Sequence, residues 1–328
     1  MVDTTLPSLL IGDIGGTNAR FALAHRDGPG FSDALTVPCA DFDSAHQAIE
    51  HFLQANNAAS PGIISLAAAG PVVEQSVRFT NNHWNLAADD LLANFAGADV
   101  RLLNDFEAIA YSIPYLDNDD CLQIGLPDAG PLAPENFAVG IIGPGTGLGA
   151  VGLKKMDGVS VPIAGEAGHV GFAPATQVQI EILAVLREHY DRVSVERLIS
   201  GSGLENVHWA LGRVHGQDWP QRTAEEIFAA AINNQDGRAS EAVHMFFEIF
   251  GQVAGDYALS IGASDGIFLA GGILPRYPEL LANSSFRAGF ENKGRYRSIM
   301  EKIPTRLILH RHPGLLGAAV VAAQMAAG

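Results

Sequence analysis

The pentapeptide Leu102-Leu103-Asn104-Asp105-Phe106 sets an amide and a carboxylate side by side where an apolar run ends and a helical pattern begins. A carboxylate in that place can take a proton from a bound hydroxyl. Two Gly-rich turns elsewhere could hold the phosphate that such a hydroxyl attacks. In the first, Gly12-Asp13-Ile14-Gly15-Gly16-Thr17-Asn18, short side chains let a phosphate approach the backbone N–H groups, and Thr17 and Asn18 add donors. Asp13 would repel a phosphate unless it helps to hold a hydrated Mg²⁺ that bridges the phosphates. The second turn, Gly143-Pro144-Gly145-Thr146-Gly147-Leu148-Gly149, partly fits a dinucleotide fingerprint through Gly145, Gly147 and Ala150. The residues from Ala150 to Leu153 read as a strand, where that fingerprint needs a helix. No Gly-Lys-Ser/Thr stands near either turn, so a Walker A loop is excluded. A nucleotide clamped between two domains fits the pair of turns better.

Further polar residues stand at Glu166 and His169, three apart in a Gly-rich segment with little helical character, and at Glu196 in Ser194-Val195-Glu196-Arg197. With Asn104 and Asp105 they make the mixture a sugar needs, since carboxylates accept from hydroxyls while Asn and His both accept and donate. Each also has a plainer reading. Asn104-Asp105 could cap a helix, Gly15-Gly16 could be an ordinary hairpin turn, Glu166 and His169 a polar surface loop, and Glu196 a favourable charge at a helix N-terminus. Metal-protease, serine-hydrolase and Cys-redox motifs are absent.

The elements that must carry these residues show in the hydrophobic pattern. Leu9 to Asp13 and Ala19 to Leu23 read as a strand hairpin around the first turn, and Phe137 to Ile142 and Ala150 to Leu153 as another around the second. Val100 to Leu103 before Asn104-Asp105 matches Gly266 to Ala270 before Gly271-Gly272, so the spacing suggests a duplicated α/β unit. Amphipathic helices are expected over Ser44 to Gln54, Val178 to Glu188 and Glu241 to Leu259. The chain is 328 residues long, which suits two domains. The segment Asp117 to Pro134, rich in Pro, Gly and Asp, is the candidate crossing.

Composition narrows the partners. With 48% hydrophobic and 17% charged residues the chain is that of a folded, soluble protein, and its apolar runs, such as Ile63 to Gly70, are too short to span a bilayer. A formal net charge of −16 without a basic cluster argues against nucleic-acid and anionic-membrane surfaces. No signal peptide is evident, so a cytoplasmic location is expected. Cys39 and Cys121 have no metal or redox spacing and are expected to be reduced and buried.

Taken in order, Gly12 to Arg20, Thr80-Asn81-Asn82-His83-Trp84, Leu103 to Phe106, Gly145 to Gly149, Gly165-Glu166-Ala167-Gly168-His169-Val170 and Glu196 to Gly201 resemble the bacterial glucokinase family. Phe268 to Arg276, Gly289 to Arg295 and His312-Pro313-Gly314-Leu315-Leu316-Gly317 extend the resemblance to nearly the whole chain. It implies an actin and hexokinase type of fold, with two α/β domains facing across a cleft. The expected boundaries are 1–115 plus 310–328 for a small domain and 116–309 for a large one. ATP-dependent phosphorylation of glucose at the 6-hydroxyl, the first step of glycolysis, is implied too, with Mg²⁺ and a homodimer. By the same resemblance Gly12, Asp13, Ile14, Gly15, Gly16, Thr17, Gly145, Thr146 and Gly147 hold phosphates, and Gly271 and Gly272 lie beside the adenosine. Asn104, Asp105, Glu166, His169 and Glu196 contact the sugar, with Asp105 as the base. The chain departs from the family pattern at Ala167, Gly171 and Ser202, where Gly, Asp and Pro are frequent. Lack of a Cys-rich zinc motif sets it apart from the repressor and open-reading-frame kinase group. A sugar-sensing regulator would need a helix-turn-helix ahead of the strand expected from about residue 8. A kinase for another hexose stays open on these residues.

Overall fold

The computed structural model of the protein describes residues 8–32, 34–79, 82–127, 130–232 and 236–327. Thr80 and Asn81 of the second motif, and residues 128 and 129 of the expected crossing, lie outside the described residues. Two compact units divide the chain: one runs up to Leu116 and resumes at His310, and the other is Asp117–Leu309.

The first unit opens with strands β1 (Ser8–Ile14) and β2 (Asn18–Leu23), an antiparallel hairpin that sets Asp13 opposite Arg20. Next come β3 (Leu35–Pro38), helix α1 (Ala45–Ala55), β4 (Pro61–Ala68), a ribbon of β5 (Ser76–Arg78) and β6 (Asn85–Ala87), α2 (Ala88–Asn94), β7 (Asp99–Asn104) and α3 (Asp105–Ser112). Strand order is β3-β2-β1-β4-β7, with β4 parallel to both β1 and β7. The period-2 alternation of β1 builds two layers. Leu10 and Ile14 join Phe21, Ile49, Phe52 and Leu66 on one face of the sheet. Leu9 and Ile11 meet Leu315, Ala318 and Ala319 of the last helix on the other. Asp13 is in phase with Leu9 and Ile11, so it emerges on the face covered by that last helix.

The second unit contains β8 (Cys121–Gln123), β9 (Phe137–Pro144), β10 (Leu148–Met156), β11 (Val159–Ala164), α4 (Gln177–Leu186), α5 (Gly201–Val214), α6 (Ala224–Ile232) and α7 (Gly237–Ile261). It ends with β12 (Gly266–Leu269), α8 (Pro278–Ala282), α9 (Phe286–Glu291), α10 (Arg297–Met300) and β13 (Thr305–Ile308), after which α11 (Pro313–Ala327) completes the first unit. Its sheet runs β11-β10-β9-β12-β13-β8. Phe246, Phe247 and Phe250 of α7 and Phe286 and Phe290 of α9 pack with Ile142 and Leu269 in one aromatic-rich core.

Five strands repeat: β3-β2-β1-β4-β7 in the first unit has the same order and directions as β11-β10-β9-β12-β13 in the second. The correspondence expected from sequence is corrected here. The equivalent of β12 is β4, which lies beside the hairpin, and the equivalent of β7 is β13. Sequence similarity at strand ends does not reveal which strand is hydrogen-bonded to which. Cys39 is buried as expected, but Cys121 is only half-buried because β8 lies at the sheet edge. Among the described residues no helix is long and apolar enough to cross a membrane.

Candidate active site

In the first unit β7 delivers Asn104 and Asp105 to the start of α3. Asn104 is the N-cap: its Oδ1 accepts the Phe106 N–H at 3.0 Å and the Glu107 N–H at 3.4 Å, and its Nδ2 donates to the Gly70 carbonyl at 3.0 Å. The cap reading of the sequence is thus the observed role of this side chain. One amide hydrogen remains for a ligand. Asp105 is the first helical residue, and its Oδ1 accepts the Phe106 N–H at 2.9 Å. The Asn104 side chain and the Asp105 N–H also favour its charged form. Burial raises the Asp105 pKa to about 6, helped by the Asp13 charge and opposed by the Phe106 N–H. A carboxylate so poised is a better proton acceptor near neutral pH than a solvated one.

Asp13 is the last residue but one of β1, beside the turn. Burial raises its pKa as well, against the pull of Arg20, whose guanidinium lies 3.6 Å away. A Cβ on Gly314 would lie 3.6 Å from the Asp13 carboxyl carbon, so the carboxylate sits at the N-terminus of α11. Within the turn the Gly15 N–H donates to the Asn18 carbonyl at 2.9 Å, Asn82 Nδ2 donates to the Gly15 carbonyl at 3.1 Å, and Thr17 is exposed. Among the described residues no group of three or more His, Cys, Asp or Glu is placed to hold a metal ion. Asp13 alone suits a hydrated Mg²⁺ that draws its other ligands from water and phosphate.

The second unit gathers the remaining candidates around the β9–β10 turn. The Gly145 N–H donates to the Gly147 carbonyl at 2.7 Å, and the Gly145 carbonyl accepts the Gly201 N–H at 3.0 Å. Glu196 lies in a 3₁₀ turn, Val195–Arg197, and its Oε2 accepts the Leu148 N–H at 2.9 Å. Glu166 precedes a second 3₁₀ turn, Ala167–His169, where the sequence led us to expect little helical character. Glu166 and His169 are both exposed. The two turns are joined, because the Val195 N–H donates to the Val170 carbonyl at 2.9 Å. Gly271, two residues past the end of β12, has φ +89°, and a Cβ there would collide with the Pro144 carbonyl. Only glycine serves at that crossing.

A cavity of about 430 Å³ opens beside this turn, lined by Gly145, Thr146, Ser202, Phe228, Gly272 and Tyr277 among others. Phe228 and Tyr277 stack with ring centroids 4.2 Å apart; Phe228 is buried, and the half-buried Tyr277 is the ring left to meet a planar group. Sequence reasoning missed Phe228, Tyr277 and Ser202. The two rings are remote in sequence and carry no local motif. Ser202 comes just after Ser200, whose Oγ caps α5 by accepting the Gly203 N–H at 2.9 Å, and that cap was the available signal. A second cavity, of about 500 Å³, is lined by His189, His208, Trp209 and Arg222 and shares only Glu205 with the first. None of the residues expected from sequence lines it.

A family model described as Glucokinase matches residues 10–325. The glucokinase of Caulobacter sp. (strain K31) is 41% identical over 314 residues, spanning 95% of this chain and 94% of that protein. A crystal structure of glucokinase from an Antarctic psychrotroph matches with TM-score 0.88 at 32% identity, covering 98% of this chain and 100% of its own. A ROK family glucokinase from Streptomyces griseus, in complex with glucose and AMPPNP, shares the fold at TM-score 0.62 and 20% identity, over 97% of this chain and 99% of its own. The architecture is therefore the actin-like hexokinase fold of sugar kinases. With a full-length family match and this level of identity, the chain belongs to the glucokinase family.

Proposed function

We propose that this protein transfers the γ-phosphate of ATP to the 6-hydroxyl of glucose, with Asp105 as general base. The observation that carries the reading is the Asp105 carboxylate, half-buried at the start of α3 with its pKa raised to about 6 by desolvation. Asp105 Oδ2 accepts the hydroxyl proton as the oxygen attacks in line. The transition state is loose, so alignment of the hydroxyl contributes more than early deprotonation. Asn104 donates its remaining amide hydrogen to the sugar, and Glu166, His169 and Glu196 hold the other hydroxyls. Phosphates lie against the backbone of Gly12 to Thr17 and of Gly145 to Gly147, and the adenosine lies beside Gly271 and Gly272 against the Tyr277 ring. Mg²⁺, held through water by Asp13, would supply neutralisation of the phosphate charge. The relatives' shared activity, and the glucose and AMPPNP bound by the Streptomyces griseus protein, support this substrate pair.

We place the reaction at the first step of glycolysis, in the cytoplasm, with the chain acting as a homodimer. A coupled assay over a panel of hexoses and phosphoryl donors tests the proposal. Fastest turnover is expected for glucose with Mg-ATP, and preferred turnover of mannose, fructose or a polyphosphate donor would overturn it. Gel filtration with light scattering tests the dimer, which a monomeric mass would remove.

A further inference from the structure

Leu148 leaves the Gly145-Thr146-Gly147 turn, and two segments proposed above to face the sugar meet its backbone, one at the N–H and one at the carbonyl. Its N–H donates to Glu196 Oε2 at 2.9 Å. A Cβ on Gly168, between Glu166 and His169, would come within 2.5 Å of its carbonyl oxygen. The carboxylate is packed directly on the turn, since a Cβ on Gly147 would collide with the same Oε2. Glu196 is itself anchored: Ser200 Oγ donates to its carbonyl at 2.9 Å while capping α5. A carboxylate bonded to a backbone N–H makes a charge-assisted hydrogen bond, among the stronger kinds in a protein. Glu196 Oε1 has no partner among the described residues and stays available to a ligand.

We infer that Glu196 is a positioning residue for the nucleotide: Oε2 fixes the Leu148 amide and so holds the phosphate turn in its binding shape, whether or not a sugar occupies Oε1. This rests on the phosphate role proposed above for the turn. A residue that served only as a sugar ligand would alter glucose affinity and leave nucleotide affinity alone. A strut of the turn alters nucleotide affinity with no sugar present.

Titration calorimetry with Mg-AMPPNP in the absence of glucose separates the two. Gln at this position still offers a carbonyl oxygen to the Leu148 N–H, whereas Ala offers none. Glu196→Ala is expected to weaken AMPPNP about 10-fold, and Glu196→Gln, which keeps the Leu148 bond without its charge assistance, about 3-fold. Glu196→Asp draws the carboxylate back by one methylene and is expected to behave like the alanine variant, which keeps the test open should Glu196→Ala not fold. Loss of glucose affinity in Glu196→Ala with AMPPNP affinity intact overturns the inference and leaves the sugar role standing. Loss of AMPPNP affinity with glucose affinity intact supports the inference and removes Glu196 from the sugar site. Glu196→Gln as weak as Glu196→Ala overturns it too, because an acceptor for the Leu148 N–H, which Gln keeps, would then contribute nothing. A parent protein that binds no AMPPNP removes the nucleotide reading and the inference together.

Discussion

The two units share a five-strand order, yet they arm different strand ends. In the first, β7 is the sheet edge, and its last residue, Asn104, caps the helix that presents Asp105. Its counterpart β13 is covered by β8, and just beyond it the Leu309 N–H is taken by the Asp120 carbonyl at 2.7 Å. The second unit instead arms the hairpin turn and the end of β12. Charge divides in the same way. Asp13 and Asp105 are half-buried near one another, and desolvation raises both pKa values. Glu196 has spent one oxygen on its own unit's backbone. A duplicated scaffold therefore supplies the proposed proton acceptor from one copy and a backbone cradle from the other.

The largest expected effect probes the charged side of this asymmetry. Asp105→Asn keeps the shape and an oxygen for the Phe106 N–H but removes the proposed base, so kcat should fall about 10²-fold or more with glucose affinity largely retained. Near-normal turnover would move the chemistry away from the first unit. In the parent enzyme kcat/KM should fall with acid below about pH 6, where Asp105 gains its proton, and the residual activity of Asp105→Asn should lack that limb. The same group destabilises the fold at neutral pH. Its folded pKa of about 6 lies above the unfolded carboxylate value, so the native state binds more protons between them. The stability Asp105 contributes is thus present below about pH 4 and is lost as pH rises through about 6. Asp105→Asn should accordingly melt higher than the parent at pH 8 and equal to it at pH 4. A lower melting temperature at pH 8 would show that Asp105 is not buried as a strained charge.

Next in size is Gly271→Ala, which tests the backbone cradle. Its left-handed φ and the Pro144 carbonyl leave no room for a methyl, and about 1–3 kcal/mol of destabilisation is expected, with a raised KM for ATP. Thermal melts and ATP saturation curves check both. A variant as stable as the parent would mean that β12 and β9 can part without cost.

Much of this division was legible in the sequence. Both hairpins show because Gly-rich turns interrupt period-2 runs, and the β7 to α3 junction shows because Asn104 and Asp105 end an apolar run. Each of these is local information. The pairing of β4 with β12 as equivalents was not legible, since equivalence lies in hydrogen bonds between strands remote in sequence. Phe228 and Tyr277 stayed hidden for the same reason: the two rings, one on α6 and one just ahead of α8, meet only in the fold. Ambiguity at Asn104 resolved toward the cap because its Oδ1 lies within reach of two free N–H groups at the start of α3. Asn104→Ala should therefore cost about 1 kcal/mol in stability, a typical loss for an N-cap, measured by urea unfolding.

The smallest expected effect contrasts the two turns directly. A Cβ on Gly15 would meet nothing closer than the Asn18 carbonyl at 3.4 Å, an ordinary contact, whereas one on Gly147 would collide with Glu196. Gly15→Ala should leave the melting temperature unchanged or raise it slightly, because a compatible Gly-to-Ala change lowers the entropy of the unfolded chain. Gly147→Ala should lower it. If Gly15→Ala costs about 2–4 °C or more, equivalent to roughly 1 kcal/mol, the first turn is as tightly buttressed as the second. If it costs nothing while raising the KM for ATP, Gly15 keeps its small size for the ligand, and Gly147 keeps its own for the carboxylate that supports it.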